Sequence, residues 1–547
     1  MKIKNFRLNY LLVAACFALF ILLLLKNPFS TRNLIGNLEP YPDTIHYLSP
    51  AINFTNGDGF YIERGGRIKN PNVPLLYSFS LMPVFLFTDD PRAFYLVNIF
   101  LALLSLGFLY KISSKIFSNS YITFIVMFLY ITNYFVYWYP NLAMAENLII
   151  PIFLGSVWLL LEKVSIRNVL IAGFLVVSFY ATKYATIPLS FSLFLLYGLK
   201  LLIGEKNNRL KYLSIFLIWV TGLFSAFALF EYLTKGFNIL NSFGSLYSLI
   251  FSGVITGVNS GESAPSNPWF SLKYLSSNLN IYLDAITGSP MRFLWDSTPL
   301  VPKFVGIFGI SALIFGLFTK KFRYLSFSLL LFLFSQILFM STFYSTDARY
   351  IYHAIPLLLI SFGLFLKFLS DLIRRLSPNK GHLIFYSILI LIFAGYLLTS
   401  AYRIKYQVAL NLKHTESPWY YISVDEANKY FDTLPKTDKK PILITALPPY
   451  YVDYFSKDRY TLLPLSLSQE FQKEMPVTWG DHNFTDLLAL YSSYMNNGYS
   501  LYISNYGLGN EDHLHKDFDK IKAAFNIEKV HEGCFNACNI FKLNPPQ

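Results

Sequence analysis

Stretches of apolar residues close to the roughly 20 that an α-helix needs to cross a bilayer recur along this chain, each bounded by short polar segments. No other feature limits the fold as strongly. In hydrocarbon every backbone N–H and C=O needs a partner inside the protein, so recurrent runs of this length predict a bundle of membrane helices. Composition agrees: 54% hydrophobic against 14% charged residues, with 53 Phe, lies outside the range of soluble domains. The first run, Leu8 to Leu25, follows Lys2, Lys4 and Arg7. It lacks a small-residue cleavage site and many runs follow, so it reads as an uncleaved first span.

Lysine and arginine set the orientation, because positively charged short loops stay on the cytoplasmic side. They collect at Lys2, Lys4 and Arg7; Lys111 and Lys115; Lys163 and Arg167; Lys206, Arg209 and Lys211; Lys320, Lys321 and Arg323; and Arg374, Arg375 and Lys380. Placing every cluster inside predicts eleven spans, near 8–25, 93–110, 120–138, 142–161, 168–182, 185–203, 212–233, 303–319, 324–342, 351–370 and 383–401. The N-terminus is then cytoplasmic and the C-terminal segment extracytoplasmic. Pro74 to Phe87 is apolar but too short to span, and is expected as a helix lying on or dipping into the membrane within a first external loop of about 26–92. A second external loop covers about 234–302, and its "GVNSGESAPSNPWF" has a flexible composition. Pro140 and Asn141 leave only a minimal turn between two spans.

Charge separates a second domain. Residues 401–547 hold 15 Lys and Arg against 17 Asp and Glu, net −2, so of the 45 and 32 in the whole chain the preceding 400 residues keep 30 against 15, net +15. A positive-inside membrane domain accounts for this excess, and no nucleic-acid partner is needed. The expected organisation is a transmembrane domain over 1–402 and an extracytoplasmic α/β domain over 403–547. In the latter, helices are predicted near "SVDEANKYFDTL", "PYYVDYFS", "NFTDLLALYSSYMNN" and "FDKIKAAF", and strands at "PILITAL", "SLYISNY", "IEKVHEG" and "NIFKL", giving a mainly parallel or mixed sheet. It has neither a Gly-rich phosphate fingerprint nor a metal-ligand pattern. Cys534 and Cys538 in "CFNAC" suit a structural disulfide in an external compartment; Cys16 lies inside the first span.

Polar groups gather on the predicted external side. "PDTIHY" places Asp43, His46 and Tyr47 on one face of a helix beginning at Pro42, with the carboxylate near its N-terminus. "NGDGF" then turns the chain, and "ERGGRIKNPNVP" supplies Arg64, Arg67 and Lys69. Glu146 sits inside an apolar run, where ionisable residues are expensive and are usually paired or functional. Lys183 marks a break between two spans, and "STDARYIYHAIP" opens another with Asp347, Arg349, Tyr350, His353 and Pro356. Each group also has a structural role open to it: helix capping for Asp43, interhelical hydrogen bonding for Glu146, snorkelling for Lys183.

The ordered set "PDTIHYLSPAINFTNGDGFYI", "PLLY", "AENL", "TKYA" and "ARYIYHAIP", spread over residues 8 to 370, resembles the polytopic GT-C glycosyltransferases of the protein O-mannosyltransferase and aminoarabinose-transferase superfamily. The resemblance implies transfer of a sugar from a polyprenyl- or dolichyl-phosphate carrier to an acceptor protein, lipid or polysaccharide, with inversion and without a nucleotide-sugar donor. It gives Asp43 the role of catalytic base or acceptor-orienting group, and Glu146 that of an acid orienting a sugar hydroxyl or a base. A leaving lipid phosphate needs cations, for which Lys183 and Arg349 come first and Arg67 and Lys69 second. His46, Tyr47, Tyr350 and His353 are the expected substrate-binding neighbours. Two departures stand out: Asp43 is followed by Thr44 where many relatives carry a second acid, and Asn72 and Val73 replace the basic residue some carry before their Pro-rich stretch. Some members bind a divalent metal and others do not; His46 and His353 are ligand types, and the reading taken is that no metal is held.

Two other classes share parts of this pattern. A transporter or flippase of lipid-linked glycans also lines a path with charge, but no repeat of spans is evident. A glycan polymerase or ligase is kept open by the long second loop. Short loops favour a prokaryotic plasma membrane.

Overall fold

A computed structural model describes residues 2–26, 42–63, 67–69, 73–88, 90–204, 208–235, 254–255, 270–293, 296–413, 419–446, 452, 456, 459–466, 486–505, 512–533 and 538–545. "GVNSGESAPSNPWF" up to its last residue, and most of "PYYVDYFS", lie outside them. The chain divides into two compact units. The first comprises Met1–Asn27, Pro71–Thr88 and Ala93–His414; the second comprises Pro28–Asn70, Asp89–Arg92 and Thr415–Gln547.

The first unit is a helical bundle of a multi-pass membrane protein. Its helices are α1 (Lys2–Leu24), α3 (Leu76–Phe85), α4 (Phe94–Phe117), α5 (Ser120–Ile131), α6 (Tyr134–Trp138), α7 (Glu146–Leu161), α8 (Ile166–Thr182), α9 (Ile187–Gly204), α10 (Arg209–Lys235), α11 (Leu275–Ile286), α12 (Lys303–Phe318), α13 (Arg323–Ser341), α14 (Ala354–Leu376) and α15 (Gly381–Lys413). Every apolar stretch expected to be helical is so. By length and apolarity six described helices suffice to cross a membrane, or seven if the bent pair α5–α6 is one span; five shorter apolar helices stand among them. Local chemistry explains the boundaries. Ser118, in the left-handed region at φ +50°, ends α4, and the Asn119 side chain accepts from the Tyr121 and Ile122 amides to start α5. The 59° bend after α5 falls where Asn133 caps α6, its side-chain oxygen accepting from the Phe135 amide.

Phenylalanine supplies much of the packing. Phe304, Phe308 and Phe315 of α12 meet Phe362, Phe365 and Phe368 of α14 with ring centroids 5.5, 4.5 and 5.0 Å apart. On the same helix Gly306 lets the backbone at the end of α11 approach closely: a Cβ there would stand 2.3 Å from the Ile286 carbonyl oxygen. At the C-terminus of α7, Lys200 donates to the carbonyls of Leu159, Leu160 and Glu162, while Lys115 pairs with the Glu162 carboxylate at 2.8 Å. The short apolar segment after Pro74 is α3, with Tyr77, Ser78, Leu81 and Phe85 buried against the bundle. Between α10 and α12 lie the strand pairs β3 (Val254–Ile255) with β4 (Phe270–Ser271) and β5 (Pro290–Phe293) with β6 (Asp296–Pro299).

The second unit holds α2 (Pro42–Thr55), the hairpin β1 (Tyr61–Glu63) with β2 (Arg67–Lys69), and a five-stranded mixed sheet. Pro42 begins α2, as suits a first helical position. The turn after α2 uses Gly57 at φ +84° and Gly59 at φ +93°, and Asn53 Nδ2 ties the helix to the Tyr61 carbonyl at 2.9 Å. In the sheet, order β10-β11-β9-β7-β8, β7 (Ile442–Thr445) runs parallel to β8 (Thr461–Pro464) and β9 (Leu501–Ser504), whereas β11 (Ile540–Asn544) is antiparallel to β9 and β10 (Asn526–His531). Helices α16 (Trp419–Asp432), α17 (Leu487–Asn496) and α18 (Asp512–Ala524) accompany it. Of the five strands of this sheet β8, four residues that end in a proline, was absent from the sequence-based expectation, as were the short hairpin strands β1 to β6. Cys538 is disulfide-bonded, Cys16 is free and buried, and Cys534 lies outside the described residues.

Two predictions follow from this packing. Gly306→Ala forces a methyl against backbone that cannot swing aside, and is expected to cost about 1–3 kcal/mol, read as a lower unfolding temperature in detergent. In the second unit, burial raises the Glu426 pKa, but hydrogen bonds from Lys429 and His531 outweigh it and hold the carboxyl below its usual range. Its contribution is therefore complete above the unfolded value of about 4.3 and is lost as pH falls through the folded one. Amide exchange in α16 should thus accelerate in Glu426→Gln relative to wild type at neutral pH, with the difference shrinking below about pH 4.

Candidate functional site

The site grows from a break between two helices. After α6 the chain passes through the 3-10 turn Tyr139–Asn141 and reaches α7 at Glu146, leaving a run of backbone carbonyls outside any α-helix. Asn98 of α4 donates to the Pro140 and Leu142 carbonyls at 2.9 and 2.8 Å, and Asn147 donates to those of Leu142 and Met144 at 2.8 and 3.1 Å. Tyr77 of α3 donates to Asn98 Oδ1 at 2.8 Å, and Lys26, just past α1, donates to the Asn141 side chain while lying over the Tyr95 ring. Glu146 thus stands on a fixed platform at a helix N-terminus, where the helix dipole favours a carboxylate.

Lys183 follows α8 in extended backbone, and its Nζ meets Glu146 Oε1 at 2.6 Å. Glu146 is only 2% exposed, and its Oε2 has no hydrogen-bond partner among the described residues. The turn after Lys183 is clamped by Thr186 Oγ1, which donates to the Phe179 and Lys183 carbonyls at 2.6 and 2.7 Å. Gln336 of α13 then joins two parts of the site: its Nε2 donates to the Ala185 carbonyl at 3.0 Å and to the Tyr350 carbonyl at 3.2 Å.

Arg349 and Tyr350 lie on the 3-10 turn Ala348–Ile351, which Asp347 caps by accepting from the Arg349 amide at 2.9 Å. Tyr350 separates two cations. Lys183 Nζ lies 5.6 Å from its ring centroid and the Arg349 guanidinium carbon 5.2 Å, and Arg349 Nη2 reaches the Tyr350 hydroxyl at 3.4 Å. Arg349 Nε is 3.7 Å from Asp347 Oδ2. Tyr139 and Tyr352, stacked at 4.7 Å, form an aromatic base nearby. Two partly exposed cations beside buried acids and a phenol can hold a tetrahedral anion.

The structure therefore brings Glu146, Lys183, Arg349 and Tyr350 together. His353 is buried in the same unit with its ring edge-on to Phe153 at 5.5 Å, and its Nε2 has no partner among the described residues. In the second unit Tyr47 is buried and His46 half-buried on α2, while the side chains of Asp43, Arg67 and Lys69 lie outside the described residues. Among the described residues no group of three or more His, Cys, Asp or Glu is placed to hold a metal ion.

Sequence reasoning missed Lys26, Asn98, Gln336 and Glu231. Glu231 is fully buried on α10 and accepts from the Tyr184 hydroxyl at 3.1 Å, so adjacent residues Lys183 and Tyr184 are each held by a carboxylate from a different helix. An acid in the apolar run of α10 and a lysine closing the first run were the available signals; an asparagine or glutamine in a helix carries none.

No family model and no curated protein matches the sequence. Among solved structures, ArnT from Cupriavidus metallidurans bound to undecaprenyl phosphate aligns at TM-score 0.60 and 12% identity, over 98% of this chain and 99% of that one. The same protein in the apo state aligns at 0.59 and 13% over the whole of both chains. The apo oligosaccharyltransferase of Archaeoglobus fulgidus aligns at 0.52 and 10%, over 98% of this chain and 74% of that one. What is shared at such identity is the fold, and the ArnT fold is a bundle of apolar helices with an additional small sheet domain, as the sequence led one to expect.

Asn98→Leu removes the donors to two carbonyls and the acceptor for Tyr77. It is expected to cost about 1–3 kcal/mol for each orphaned buried group, read by thermal unfolding in detergent, and to weaken any ligand that depends on Glu146.

Proposed function

We propose that the protein is a membrane glycosyltransferase that moves a sugar from a polyprenyl-phosphate-linked donor to an acceptor on a protein, lipid or polysaccharide, with inversion. The observation that carries this reading is the Glu146–Lys183–Tyr350–Arg349 cluster, an anion site at one end of a bundle with the fold of ArnT. That ArnT was solved with undecaprenyl phosphate bound makes a lipid phosphate the anion to test.

In the reaction so assigned, an acceptor hydroxyl attacks the anomeric carbon while Asp43 takes its proton. Lys183 and Arg349 receive the charge growing on the leaving phosphate, with Arg67 and Lys69 as further phosphate contacts. Glu146 keeps Lys183 in place through Oε1 and offers Oε2 to a sugar hydroxyl. His46, Tyr47, Tyr350 and His353 are assigned to substrate binding. No metal is needed for these roles. The chemistry is placed on the extracytoplasmic side of a prokaryotic plasma membrane, with a cytoplasmic N-terminus and the domain over 403–547 outside, as the basic clusters suggest.

The test is transfer of radiolabelled sugar from a panel of polyprenyl-phosphate sugars in membranes containing the full chain. Wild type should transfer, Asp43→Asn should lose at least about a hundredfold while still binding donor, and Lys183→Met should weaken donor binding. Transfer indifferent to Asp43→Asn removes that residue from the chemistry. Movement of lipid-linked sugar across the bilayer with no transfer makes the protein a flippase instead.

A further inference from the structure

The two cations placed first for the lipid phosphate, Lys183 and Arg349, already face a carboxylate. Lys183 Nζ stands 2.6 Å from Glu146, and Arg349 Nε stands 3.7 Å from Asp347, whose side chain is 8% exposed. Among the described residues two positive and two negative charges stand around Tyr350, so this part of the site is formally neutral. A site evolved only to grip phosphate has no use for the acids, because each weakens the field of the cation beside it. Asp347 has a structural duty, accepting from the Arg349 amide to cap its turn, but asparagine or serine caps as well without charge.

The chemistry of the proposed transfer supplies a reason. The donor phosphodiester carries one negative charge. Its bond between the anomeric carbon and the phosphate oxygen breaks with the electron pair leaving on that oxygen, the acceptor oxygen bonds to the carbon, and the acceptor's proton passes to the base. What remains on the lipid is a monoester, carrying about −1.5 to −2 at neutral pH. Two unopposed, partly buried cations would hold that product more tightly than the donor, and turnover would stall. Repulsion by a fixed carboxylate scales with ligand charge, so it acts about twice as strongly on the product.

We propose that Asp347 is a discriminating residue of the site: beside Arg349, and together with the Glu146–Lys183 pair, it offsets the cationic charge so that the lipid monoester is released in favour of the next donor. This inference rests on the phosphate-site reading above. Glu146 shares the charge balance, but its direct contact with Lys183 makes its substitution harder to interpret, which leaves Asp347 as the residue to test.

The experiment uses the full chain in nanodiscs at pH 7.5 with two probes, undecaprenyl monophosphate and its methyl phosphodiester, on wild type, Asp347→Asn and Asp347→Ser. Both variants keep a capping side chain and lose the charge. Each should bind the monophosphate about tenfold more tightly and the diester about threefold more tightly. With an active donor, turnover should fall and inhibition by added monophosphate should rise. Weaker or unchanged binding of both probes in both variants overturns the proposal and leaves Asp347 as a cap only. Failure of wild type to bind either probe overturns the phosphate site itself, whereas wild-type binding that the variants leave unaltered overturns only the role of Asp347.

Discussion

Breaking a helix where the chain is buried frees backbone carbonyls that must find partners within the protein. At the junction of α6 and α7 the freed groups are met by Asn98 and Asn147, with Tyr77 holding Asn98 and Lys26 holding Asn141. Three other elements, the end of α1, α3 and α4, are thereby fastened around one short turn. Glu146 takes its position from that turn, Lys183 takes its position from Glu146, and Gln336 links the Lys183 turn to the one bearing Arg349 and Tyr350. The polar site is a consequence of how the irregular backbone is satisfied.

The same economy appears in the charges. Buried ions are expensive unless paired, and Glu146 and Lys183 solve that problem for each other while leaving Oε2 of the acid without a partner among the described residues. Asp347 both caps a turn and faces Arg349. Structure and chemistry draw on the same few side chains, so substitutions must be chosen to separate charge from hydrogen bonding.

At the opposite extreme, the Phe ladder between α12 and α14 and the close approach at Gly306 are apolar and depend on shape alone. They hold the helices whose ends carry the polar turns. The mixed sheet of the second unit is built on ordinary rules, with parallel strands β7, β8 and β9, helix α17 between β8 and β9 in the chain, and antiparallel strands β10 and β11 added last.

The sequence by itself determined the elements. Each long apolar run is a helix because hydrocarbon permits little else, and "NGDGF" marked the turn after α2. It also singled out Glu146, Lys183, Arg349 and Tyr350, because charge inside or beside apolar runs is conspicuous. It left Asn98 and Gln336 unseen, since a neutral amide looks the same whether it faces a neighbouring residue or bridges two distant turns. Strand β8 was too short, and too close to Pro464, to register. Tertiary structure alone decided which acid meets which base: Glu146 and Lys183 are 37 positions apart, on helices whose packing no local pattern specifies. Periodicity records the environment of each segment, whereas pairing depends on how the segments are arranged around one another.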